Sequence, residues 1–190
     1  MNNKSILIVG VGGQGTLLAS RILGSLAMEQ GYEVKLSEVH GMAQRGGSVV
    51  THVRFGHNIF SPLIEPGKAD IILAFEKMEA LRWIHYLKKG GTIIVNDQAI
   101  DPMPVITGAA QYPDDVLQRI NKRCLDLISV DALAVAKQIG NIRVVNSVLL
   151  GVLAQKLDIP VAVWEKVIKE TVPSKTIDVN LQAFYKGYHN

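Results

Sequence analysis

Two short loops hold the residue types best suited to meeting a ligand. In the first, Gly10-Val11-Gly12-Gly13-Gln14-Gly15 follows the apolar run Ile6-Leu7-Ile8-Val9. Gly10, Gly12 and Gly15 fit the spacing G-x-G-x-x-G, which lets a backbone bend tightly, approach a phosphate closely and aim N–H groups at it from a helix start. Glu38 stands about where a ribose-binding acid follows such a loop. In the second loop, His40-Gly41-Met42-Ala43-Gln44-Arg45-Gly46-Gly47-Ser48, a permanently charged planar guanidinium precedes two glycines. An arginine so placed can grip a carboxylate or phosphate through paired hydrogen bonds while the backbone comes close. Gly10, Gly12, Gly13, Gln14, Gly15 and Glu38 are therefore the candidates for binding a nucleotide or cofactor. His40, Gln44, Arg45, Gly46 and Gly47 are the candidates for facing an anionic ligand. Each loop also has a plainer reading, as a tight turn whose glycines serve packing and whose arginine is solvated.

Other chemistries lack their residues. The one cysteine, Cys124, excludes an internal disulfide, a cysteine-ligated iron–sulfur cluster and a Cys-x-x-Cys pair within this chain. His52 and His57, five apart across an expected turn, and His85 beside Trp83 and Tyr86 do not make a metal pattern. A nucleophile elbow, a Walker lysine loop, a Tyr-x-x-x-Lys dyad and a thiamine diphosphate signature are all missing. A net charge of +3 spread over scattered basic residues speaks against nucleic acid as partner. No apolar run is long enough to span a bilayer, and Met1-Asn2-Asn3-Lys4 is too short and polar to open a signal peptide, so the expected location is cytoplasmic with no membrane contact.

These loops need elements to hold them. The periodicity predicts a strand near residues 5–10, then a helix over 13–30 with Leu17, Leu18, Ile22, Leu26 and Ala27 on its buried face and Gly31 ending it. A second strand over 33–39 leads to the second loop. Residues 48–55 and 58–60 read as a hairpin around Gly56-His57-Asn58. Asp70–Phe75 is a continuous apolar run, as in a strand buried on both faces. A helix over 77–88 follows, stopped by Gly90-Gly91, and then a strand over 92–96. Beyond a proline-bearing loop (Pro102, Pro104) come a helix over 114–122, a strand over 125–130 and a short helix capped by Asp131. Helices over 147–157, 161–171 and 179–188 close the chain, and Asn146-Ser147 reads as a helix cap. With 190 residues and no linker, one domain over residues 1–190 is expected. Its fold class is α/β: a Rossmann-like open, mostly parallel sheet with helices on both faces and a helical C-terminal region. In such sheets ligands lie beyond the C-terminal strand ends, which here carry both glycine loops, Glu76, Asn96-Asp97 and Asp131.

With Ser37-Glu38-Val39 added before the second loop, the two motifs resemble the gamma-type subunits of 2-oxoacid:ferredoxin oxidoreductases, most closely the indolepyruvate (arylpyruvate) branch. The similarity extends to Asp70–Glu76 and Asn146–Gly151. It implies a non-cofactor subunit, inactive alone, that associates with a large alpha subunit carrying thiamine diphosphate and iron–sulfur clusters. That complex decarboxylates an arylpyruvate oxidatively, passes electrons to ferredoxin and forms an acyl-CoA. The resemblance assigns no catalytic residue here; it suggests that both loops border a shared site, with Arg45 nearest an anionic substrate or coenzyme A. The alternative is a stand-alone NAD(P)- or nucleotide-binding oxidoreductase using Gly10–Gly15 and Glu38.

Overall fold

The computed structural model describes residues 3–41 and 46–190. The chain runs β1 (Lys4–Val11), α1 (Thr16–Glu29), β2 (Glu33–His40), β3 (Ser48–Gly56), β4 (Ala69–Ala74), α2 (Lys77–Trp83), β5 (Leu87–Asn96), α3 (Met103–Ile106), α4 (Val116–Asn121) and β6 (Asp126–Val130). Then follow α5 (Ala132–Ile139), α6 (Val145–Ala154), α7 (Val161–Thr171) and α8 (Ile177–Tyr188). A six-stranded sheet has the order β2-β3-β1-β4-β5-β6. β1, β4, β5 and β6 pair in parallel, whereas β3 lies antiparallel to both β2 and β1. Five strands therefore share one direction, and the expected open α/β sheet forms with a single reversed strand.

The unalternated apolar reading of β1 has its cause in the layers. Ile6 and Ile8 face a core completed by Ile22 and Leu26 of α1, Val148 of α6, Trp164 of α7 and Phe184 of α8. Leu7 and Val9 face the opposite side, against Ala80 of α2 and Ile120 of α4. Each such fully buried aliphatic side chain contributes about 1.5–3 kcal/mol relative to exposure. Gly31 and Gly140 end α1 and α5 in the left-handed conformation, at φ 73° and 86°, where a Cβ is costly. No helix among the described residues is long and apolar enough to cross a membrane.

Several local expectations are corrected. Leu17 is 47% exposed, because α1 buries Ala19, Ile22, Leu23, Leu26 and Ala27 and leaves its first turn at the sheet's rim. Residues 48–56 form one strand, and the hairpin is β2–β3, closed by the second loop; no strand exists at 58–60. Gly56 at φ 145° and Asn58 at φ 57° break the extended run, leaving Phe60 90% exposed. Helix α2 stops at Trp83, passes through one tighter turn over Ile84–Tyr86, and Gly90-Gly91 lie inside β5. Gly91 is required there because a Cβ would come within 2.9 Å of the Asp70 carbonyl. The proline-bearing segment is itself a short helix, α3, with Pro102 at its N-cap. Asp131 does cap α5, accepting from the Ala134 N–H at 2.8 Å. Asn146 and Ser147 are not caps: both are buried inside α6, where the Ser147 hydroxyl donates to Asn180 Oδ1 of α8 at 2.6 Å.

Candidate functional site

The C-terminal ends of β1, β2, β4, β5 and β6 share one rim with the start of β3, so the turns joining them crowd together. Gly10 lies where a Cβ would come 2.9 Å from Gln14 Oε1 and 3.0 Å from the Phe75 Cβ. That space is filled by Gln14 itself. Its Oε1 accepts from the Val11 N–H at 2.8 Å, and its Nε2 donates to the Phe75 carbonyl at 2.9 Å. The same carbonyl accepts from Asn96 Nδ2 at 3.1 Å; that amide also donates to Gln98 Oε1 at 2.9 Å, while Asn96 Oδ1 takes the Ala132 N–H at 3.1 Å. A carboxamide network thus stitches together the ends of β1, β4, β5 and β6.

The two loops meet through their backbones. The Gly12 N–H donates to the Gly47 carbonyl at 2.9 Å, and the Gly41 N–H donates to the Ser48 carbonyl at 3.2 Å. Gln14 N–H is used by the Val11 carbonyl at 3.2 Å. The N–H groups of Val11, Gly12 and Gln14 are therefore committed within the protein rather than aimed at a pyrophosphate. Gly13 and Gly15 adopt φ 102° and 85°, and Gly15 is the N-cap of α1.

Glu38, His40, Gly46 and Gly47 are placed unequally. Glu38 accepts from the Thr51 hydroxyl at 2.8 Å and pairs with His40 Nε2 at 2.9 Å. Strand β3 stands between β2 and β1, so Glu38 is two strands away from the glycine turn, on the order of 10 Å at ordinary strand spacing. The topology brings Gly46 and Gly47 to Gly12 but does not bring Glu38 there. Gln44 and Arg45 lie outside the described residues.

Sequence reasoning placed Glu76 at a strand end without a role and missed that Glu76 and Glu79 form a pair of buried carboxylates beneath this junction. Glu76, 1% exposed, N-caps α2 by accepting from the Glu79 N–H at 2.9 Å and also accepts from the Tyr112 hydroxyl. Burial and the Glu76 carboxylate together hold the Tyr112 proton far above the usual phenol range. Glu79, 4% exposed, accepts from the Ser48 hydroxyl, from Trp83 Nε1 at 3.2 Å and from Arg82 Nε at 3.1 Å. Ser48, the last residue of the loop motif, is in this way tied to α2. The available signal was Glu-x-x-Glu directly after an apolar strand, a helix start with an unusual cap. Among the described residues no group of three or more His, Cys, Asp or Glu could hold a metal. The arrangement can present backbone and side-chain donors to an anion at a rigid rim. Its buried carboxylates are occupied by structural partners.

A model of the pyruvate ferredoxin/flavodoxin oxidoreductase family matches residues 5–190. The indolepyruvate oxidoreductase subunit IorB of Thermococcus kodakarensis is 45% identical over 192 residues, 98% of this chain and 95% of the relative. The subunit of the same name from Pyrococcus horikoshii is 43% identical with the same coverage. The crystal structure of pyruvate oxidoreductase subunit PORC from Thermotoga maritima has the same fold, with a TM-score of 0.74 at 22% identity, covering 100% of this chain and 97% of that one.

Proposed function

The chain belongs to the pyruvate ferredoxin/flavodoxin oxidoreductase family and is a subunit of a 2-oxoacid oxidoreductase of the indolepyruvate kind; from that premise we propose that it contributes its loop-bearing rim to a site shared with a larger partner. The partner carries thiamine diphosphate and iron–sulfur clusters, and the complex works in the cytoplasm. An arylpyruvate loses its carboxylate as CO2, two electrons pass to ferredoxin, and the acyl group leaves on the sulfur of coenzyme A. The thiamine cofactor supplies the carbanion stabilisation that this decarboxylation needs.

This chain's share is to position and to neutralise charge. The backbone bond from Gly12 to Gly47 carries the reading, because it makes two separate glycine motifs into one surface at the strand ends. Ser48, held by Glu79, fixes one end of the loop on which Arg45 stands. Arg45 supplies the guanidinium for the substrate carboxylate or a coenzyme A phosphate, and His40 and Gln44 of the same motif are the further candidates for that anion. The relatives lend no support to a stand-alone NAD(P) enzyme. Neither does the topology, which keeps Glu38 from the glycine turn.

The test is purification under anaerobic conditions with a tagged chain, followed by kinetics of the assembled enzyme. The expected result is a brown large subunit that co-purifies and reduces ferredoxin given indolepyruvate and coenzyme A. In that enzyme Arg45→Ala raises the KM for one of the two about tenfold or more, the loss of a charge-assisted contact of about 1.5–3 kcal/mol. Unchanged KM for both overturns the role of Arg45. A colourless lone chain that binds NAD at micromolar concentration overturns the complex.

A further inference from the structure

A second recess opens on the other side of the glycine turn, away from Gly47, between the start of α1, α5 and the segment leading into α6. It has a volume of about 470 Å³. Leu18, Leu133, Ile142 and Val145 give it an apolar wall, Arg143 and Gln98 stand on it, and no Asp or Glu lines it. Arg143 is exposed and has no carboxylate partner among the described residues.

The decisive residue is Asn146. It is 3% exposed and lines the recess. Its Oδ1 accepts from the Ser147 N–H at 2.9 Å, but its Nδ2 has no acceptor among the described residues. The amide lies directly over Gly15: a Cβ there would come 3.1 Å from Nδ2. Gly15 in turn N-caps a 14-residue helix whose first turn has no side-chain cap. A nearly buried donor, an uncapped helix N-terminus and an unpaired guanidinium therefore converge on one apolar slot. The free Asn146 N–H opens on the recess rather than being sealed in the core, where Trp164 Nε1 is the one orphaned side-chain donor among the described residues, and the positive end of α1 favours an anion beside it.

We infer that this recess binds a small carboxylate carried on an apolar body, its head taken by Asn146 Nδ2, Arg143 and the start of α1, its body by the aliphatic wall. A neutral ligand leaves the guanidinium unused, and a bare inorganic anion leaves the wall wet. The site stands on residues other than the Gly12–Gly47 junction, so it does not depend on how that junction serves the complex.

Calorimetric titration of the full chain with phenylacetate, and separately with inorganic phosphate, tests it. Phenylacetate should saturate a single site, with phosphate at least tenfold weaker. Arg143→Ala, an exposed change that leaves the core intact, should weaken phenylacetate at least tenfold; so should Asn146→Asp, which puts a carboxylate oxygen where the amide donor stands. If Asn146→Asp does not fold, Leu133→Gln replaces it, with the same expected loss. The binding and its Arg143 dependence should persist in the assembled complex. Absence of saturable binding, wild-type affinity in the variants, phosphate binding as tight as phenylacetate, or loss of the site once the partner is assembled would each overturn the inference.

Discussion

At the scale of single residues, polar side chains here act mainly by choosing which backbone groups they satisfy. Gln14 sits inside a dinucleotide-like spacing, yet its carboxamide consumes a loop N–H and reaches the carbonyl of Phe75, 61 positions away. Gln14 is legible in the sequence as an odd residue for a nicotinamide loop, but its partner is set by strand order and is not. His52 shows the same logic with a titratable group. It is 6% exposed within β3, and its Nδ1 accepts from the Ile64 N–H at 3.1 Å, which requires that nitrogen to be unprotonated. Burial lowers its pKa below the ordinary histidine value of 6.5. The unfolded chain thus binds the proton more readily than the folded one, so stability is full above 6.5 and declines as pH falls below it toward the folded pKa. His52→Asn keeps an acceptor for Ile64 but removes the titration. Its urea-unfolding stability, compared between neutral pH and about pH 5, should fall less than that of the parent chain. Equal slopes for the two proteins would show that His52 does not contribute.

At the scale of elements, the apolar runs forecast β1, β4 and β5 because strands buried on both faces need no alternation. The errors arose where local pattern and non-local pairing part company. Residues 48–60 read as a local hairpin, but β3 takes both partners from elsewhere, β1 through Ile8–Thr51 and β2 through Glu38–Thr51. Nothing in a period-2 pattern says which strand lies alongside. That one insertion also decides the fate of Glu38 as a nucleotide ligand. Helix packing has a similar hidden term. Gly151 of α6 and Gly187 of α8 face each other so closely that a Cβ on Gly151 would lie 2.0 Å from the Phe184 carbonyl, and one on Gly187 would lie 1.9 Å from that of Val148. The obstacles are backbone, so neither helix can yield by turning a side chain. Gly151→Ala should therefore cost about 3 kcal/mol or more by overpacking, even though alanine is the better helix former. Thermal unfolding reads this directly, and a melting temperature at or above that of the parent would show that α6 and α8 can separate at little cost.

For the molecule as a whole, a group of exposed apolar side chains gathers at one rim, although Met28 at the far end of α1 is also 60% exposed. Leu17 of α1, Val39 of β2, and Met103 and Ile106 of α3 are each between 47% and 66% exposed, and all lie toward the strand ends that carry the glycine loops. Buried polar networks hold that same rim rigid from beneath, through Gln14, Asn96 and Glu79. A preformed apolar rim with its donors fixed is what a shared site between two subunits requires, because little ordering entropy is then lost on docking. The candidate site was legible to the extent that glycines and an arginine announce themselves by type. The bracing roles of Gln14, Glu76, Glu79 and Asn96 were not legible, since their partners are gathered from distant parts of the chain. Hydrogen exchange of the chain alone and in the assembled complex distinguishes the rim from the rest. Assembly should slow exchange in segments 38–41, 46–48 and 100–107, and leave segments 57–63 and 122–126 unchanged, although the latter two also expose large apolar side chains, at Phe60, Leu63 and Leu125. Protection confined to 57–63 or 122–126 would place the partner at the opposite end of the sheet, where neither glycine loop could share its chemistry.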